Sequence, residues 1–129
     1  MKKAFIFLVL IFSSGFSFSQ TNAYSDLNGL WADSNSAAFS NAYIIFSQEG
    51  SSVTFSHYLE FKGIPMVEYG KGKISGNKVE YKVKVSKPIP GWARKGFHSL
   101  LLSADGKTLR GIYKDEKGNT GPLVFKKIR

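Results

Sequence analysis

The chain has 129 residues, no cysteine, and 18 Lys and Arg against 9 Asp and Glu, a formal net charge of +9. Without cysteine there is no disulfide framework, no thiolate metal ligand and no thiol nucleophile. The positive charge favours anionic neighbours, but the basic residues are spread along the chain without a nucleic-acid motif, so no nucleic-acid partner is expected.

Residues 1 to 20, MKKAFIFLVLIFSSGFSFSQ, combine two lysines, an apolar run from Ala4 to Phe12 and the small-x-small end Ser17-Phe18-Ser19. This is the layout of a cleavable signal peptide, so cleavage is expected near Ser19, leaving residues 20–129 as one periplasmic or secreted domain. The apolar run is too short to span a bilayer, which needs about 20 helical residues, and no later stretch is long enough. Cleavage removes Lys2 and Lys3 and leaves 16 basic against 9 acidic residues. A domain this small buries only about two-thirds of its unfolded surface, and a closed sheet is one way to hold it without disulfides.

Beyond the leader, no window shows the i, i+3, i+4 apolar spacing of a helix, and alternation with period two prevails. Eight strands are expected, near residues 28–33, 42–48, 52–61, 65–74, 78–86, 97–104, 108–115 and 120–128. The first carries Trp31. The third turns Val53, Phe55, His57, Leu59 and Phe61 to one side. In the fourth, Val67 and Tyr69 are read as inward and Glu68, like Glu60 before it, as outward; Gly70 and Gly72 interrupt the pattern as a bulge or barrel bend would. The fifth, KVEYKVKVSK, is the clearest, with Val79, Tyr81 and Val83 inward. The sixth, FHSLLLS, leaves the orientation of His98 open. Leu109 and Tyr113 of the seventh and Leu123 and Phe125 of the eighth complete the inward set, and Pro122 lies near a strand start, where its missing N–H is tolerated.

The second, fourth and sixth connections, QEGSS, SGNK and ADGK, are tight, whereas SNSAAFSN and KPIPGWARKG among the others are long. Alternate connections of a meander lie at opposite ends, so the expected fold is all-β: a small antiparallel up-and-down barrel of about eight strands, closed at one end and open at the other.

The opening stretch DLNGLWAD holds Gly29 and Trp31 in a Gly-x-Trp triplet. In this it resembles the calycin superfamily, the lipocalin-like and avidin-like barrels, in which such a triplet begins the first strand and a long first loop overhangs the mouth. The resemblance implies a basic cover over Trp31 from the chain's end, for which Arg129 or Lys127 is the candidate. The chain departs from lipocalins in length, in standing SADGKTLRG where a second signature would fall, and in lacking a C-terminal helix; the biotin-contacting set of the avidins has no match.

His57 is the one titratable group on an apolar strand face, either a ligand partner or a core histidine satisfied by a tyrosine or a backbone carbonyl. Two isolated histidines without clustered carboxylates suggest no metal site. Gly-x-Ser-x-Gly and paired inward carboxylates are both missing, so no catalytic residues are assigned and no cofactor is expected. The segment Lys87 to Phe97 joins two prolines, Trp92, Arg94 and Lys95; Trp92 either anchors a ligand or folds down as a plug. The expected function is non-catalytic binding, by a monomer, of a small, partly apolar ligand at the open end, through Trp92, Tyr69, Tyr113, Phe97, His57 and Arg94. Two alternatives stay open: a module whose open-end loops grip a protein or polysaccharide surface, and a lipocalin-like enzyme.

Overall fold

Strict alternation of buried and exposed residues, most regular in Ser52–Phe61, makes each strand of this protein two-faced, and the computed structural model closes those faces into a barrel. It describes residues 25–35 and 39–129; the expected signal peptide and the middle of the first long loop lie outside the described residues. The strands are β1 (Gly29–Asp33), β2 (Phe39–Glu49), β3 (Ser52–Phe61), β4 (Ile64–Ser75), β5 (Lys78–Val85), β6 (Lys95–Leu102), β7 (Thr108–Asp115) and β8 (Thr120–Lys127). Each pairs antiparallel with its sequence neighbour, and β1 closes on β8 through Trp31↔Lys127 and Asp33↔Phe125. No helix occurs among the described residues, so none there is long and apolar enough to cross a membrane.

One strand departs from simple pairing, and another carries two glycines in regular register. In β2 the register against β3 shifts between Ser40 and Tyr43, with Asn41 at φ 48°. This is a bulge at a residue type that tolerates the left-handed region. In β4 the register against β5 is the same before Gly70 and after Gly72, so the glycines mark no inserted residue. They mark close approach instead, because a Cβ on Gly72 would meet the Tyr81 Cβ at 2.6 Å. That proximity is what a bend in a narrow barrel requires.

The sequence reading of β4 has the wrong phase. Met66, Glu68 and Ile74 are buried, while Val67 and Tyr69 are 38% and 46% exposed. Val67 pairs with Tyr58 and Tyr58 with Tyr43, both exposed, so an apolar row on the outer face imitated the inner one.

The closed end is filled by side chains. Trp31 and Phe46 meet edge to face at 6.1 Å and Phe46 and Tyr81 at 5.6 Å, while Phe55 and Tyr81 stack at a tilt with centroids 4.4 Å apart. The Trp31 indole nitrogen donates to the Leu27 carbonyl at 3.0 Å, and the Lys127 ammonium lies 5.6 Å from the indole centroid. Lys127 is thus the cationic cover, while Arg129 acts through its backbone, its carbonyl accepting the Leu30 N–H at 3.0 Å. Gly29 has φ 139°, and a Cβ there would collide with that carbonyl, which explains why this position of the triplet is glycine. A smaller apolar group, Ala42, Leu59 and Met66 with Phe61, Val85, Ile89 and Trp92 against it, packs separately from this main core.

Candidate functional site: a polar floor under an open chamber

Three strands bring one buried charged cluster together inside the barrel. Asp33 ends β1, His57 stands in β3 and Glu68 in β4, where pairing sets His57 directly opposite Glu68. The His57 Nε2 lies 2.9 Å from Asp33 Oδ2 and its Nδ1 lies 3.0 Å from Glu68 Oε2. The side chains of His57, Asp33 and Glu68 are 4%, 0% and 7% exposed. Ionised carboxylates only accept, so both ring nitrogens must donate and the ring is an imidazolium.

The energetics agree. Burial is the largest influence on His57 and lowers its pKa. The hydrogen bonds to Asp33 and Glu68 and the charges of both together outweigh it, raising the pKa from 6.5 to about 9. For Glu68, burial acts most strongly and upward, but the His57 hydrogen bond and charge, with smaller help from His98 and Trp92, hold the carboxyl below its ordinary value.

The remaining acceptors of the cluster are taken by loops. Trp92 donates its indole N–H to Glu68 Oε1 at 2.9 Å and stands edge-on to Phe61 at 5.0 Å. Asn35 donates its backbone N–H at 3.0 Å and its side-chain amide N–H to Asp33 Oδ1, and its side-chain Oδ1 accepts the Val124 N–H. The first loop and the fifth connection are therefore both tied to the floor through carboxylates.

Above the floor opens a chamber of about 600 Å³ whose lining includes His57, Glu68, Trp92, His98 and Tyr113, with apolar walls from Leu59, Phe61, Val83 and Leu123. Lys95, Lys114 and Lys117 stand around it. His98, whose orientation the sequence left open, points inward and is buried, its Nδ1 2.9 Å from the Tyr81 hydroxyl. Burial dominates its titration and pushes the pKa down to about 4, so it is neutral near pH 7. Burial, with the charges of Glu68 and Asp33, also raises the Tyr81 hydroxyl well above its ordinary value.

Of the expected binding residues, His57, Trp92 and Tyr113 line the chamber, and Tyr69, Phe97 and Arg94 do not. Tyr69 points outward with the rest of its phase. Phe97 alternates with inward His98, so it lies on the outer side, paired with Lys82 and Lys114. Arg94 is exposed and binds through its backbone N–H to Glu116 Oε1 at 2.9 Å. Glu68, expected outward, is the largest correction: it is 5% exposed and, with Asp33, flanks His57, so paired carboxylates and an imidazole do meet inside the barrel. His57 is satisfied by these carboxylates rather than by a tyrosine or a backbone carbonyl. No cluster among the described residues has the arrangement to hold a metal ion.

The fold and site define a small, closed, eight-stranded antiparallel barrel with a filled end and a chambered end. A scan of protein-family models and a search of curated proteins find no match to this chain.

Proposed function

We propose that this is an exported, non-catalytic binding protein of calycin type that holds a small, partly apolar ligand in the chamber at the open end. The carrying observation is the chamber itself. Its volume lies in the range of small-molecule sites, about 300–1,000 Å³, and it joins apolar walls to a few inward polar groups. Closed-barrel topology and the Gly29-x-Trp31 opening support the calycin reading, and the sequence of residues 1–19 supports export.

The Asp33–His57–Glu68 cluster favours one second reading, acid–base catalysis in the same chamber. Against it stands the closure of the cluster: both imidazole nitrogens are engaged, and an imidazolium with pKa about 9 is no base at neutral pH. A module gripping a protein or polysaccharide has less support, because Trp92 is hydrogen-bonded to Glu68 and packed on Phe61 rather than displayed.

Native mass spectrometry of the secreted protein, followed by denaturation and identification of released small molecules, tests the proposal. A stoichiometric partly apolar compound, displaced by a chamber-filling Leu123→Trp change and unaltered on prolonged incubation with excess protein, is the expected result. Conversion of that compound would establish the catalytic reading instead, and retention of full stoichiometry in Leu123→Trp would remove the chamber as the site.

A further inference from the structure

His98 is nine-tenths buried, lines the chamber, and makes one side-chain hydrogen bond, between Nδ1 and the Tyr81 hydroxyl. No enclosed side-chain nitrogen or oxygen among the described residues lacks a partner. The Nε2 of His98, which has none, is therefore not sealed by protein and reaches the chamber. The tautomer follows from Tyr81. That hydroxyl is deeply buried and has His98 Nδ1 as its side-chain partner, so its proton is used only if it donates to Nδ1. The ring proton then sits on Nε2, and the histidine presents an N–H donor to the chamber.

A second donor stands on the adjoining strand. Tyr113 of β7 is the direct register partner of His98 on β6, and opposed residues on one face of an antiparallel pair have Cβ atoms about 5 Å apart. Tyr113 lies over Gly121, where a Cβ would come within 2.7 Å of the ring, and its hydroxyl has no protein partner among the described residues. The surrounding charge limits what these donors can bind. Asp33 and Glu68 share a single imidazolium, leaving a buried excess of one negative charge near the donors, while Lys95, Lys114 and Lys117 are exposed to solvent screening. An anionic head would meet that excess in a poorly screened interior, and a cationic head, itself a donor, would face the donor N–H of His98.

We infer that the ligand's buried end is an uncharged carbonyl oxygen, as in an amide, ketone or ester, accepting hydrogen bonds from His98 Nε2–H and the Tyr113 hydroxyl. This rests on the binding reading above and specifies its chemistry. The protein's overall positive charge does not select the ligand; the local negative floor does.

Three probes of one shape and different charge test it: benzamide, benzoate and benzylamine, titrated into full-length mature protein carrying 15N-labelled histidine. Benzamide is expected to shift the His98 Nε2 resonance and to bind at least about tenfold more tightly than either charged probe, a difference of one well-made hydrogen bond or more. Tyr113→Phe, which keeps the ring, is expected to weaken benzamide about fivefold without altering the His57 resonances. Equal or tighter binding of benzoate or benzylamine within the chamber would overturn the carbonyl inference and leave the binding reading standing. Benzamide binding that neither moves His98 nor depends on Tyr113 would do the same. If no probe perturbs any chamber resonance, both fall.

Discussion

Trp92 and His57 never touch through a bond of their own, yet they share one carboxylate: Glu68 receives the indole N–H on Oε1 and the imidazolium on Oε2. A loop-borne aromatic is thereby fastened to the charged floor of the barrel. The arrangement accounts for the half-buried state of Trp92 and joins the stability of the open end to the protonation of one histidine.

Trp92→Ala is expected to lower stability by about 1–3 kcal/mol, because it removes both the packing on Phe61 and a hydrogen bond to a buried charge. Urea denaturation measures this. A loss below about 0.5 kcal/mol would show that Trp92 is displayed rather than packed.

Replacing His57 by Leu leaves two carboxylates buried without their shared cation, and the expected cost is about 3–5 kcal/mol. The double change Asp33→Asn with Glu68→Gln in the His57→Leu background should recover part of it, since the uncompensated charge is then gone. No recovery in the triple variant would mean that packing, not charge, sets the cost.

Stability should peak near pH 6.5. The folded state binds the His57 proton more tightly than the unfolded chain does, so this contribution is complete below pH 6.5 and is lost as pH rises through about 9. His98 acts in the opposite sense: neutral when folded, it stabilises above pH 6.5, and that contribution is lost as pH falls toward about 4. Glu68, held below its ordinary value, adds to the loss on the acid side. Denaturation midpoints measured from pH 4 to 9.5 should form an arch, with an alkaline limb of about 3 kcal/mol at most that flattens in His57→Gln.

At the closed end, Trp31→Ala should cost about 3–5 kcal/mol, as large core truncations do, whereas Lys127→Met should cost no more than about 1 kcal/mol for the lost cation–π contact. Equal losses in the two would show that the cation, not burial, dominates at this position.

The secreted protein is expected to begin at or near Gln20, and a chain lacking residues 1–19 to fold to the same stability. Intact-mass analysis of material from the culture or periplasm gives the first residue directly; retention of Phe5 to Phe12 would contradict export by cleavage.

All eight strands, the single barrel and its two unlike ends were legible in the sequence by itself, because period-two alternation and turn residues are local properties. Lys78 to Val85 shows this best, buried and exposed positions following one another as the apolar pattern requires. What only the tertiary structure decided was phase and partnership. On β4, Val67 and Tyr69 outrank Met66 and Glu68 in apolar character, yet the strand's phase is set by its register with β3, which puts Glu68 opposite His57. Asp33 gave no local sign either: it lies 24 residues from His57 and meets it only when β1 joins the closed barrel. A buried charge is tolerated where its partners arrive from other strands, and sequence spacing carries no record of that meeting.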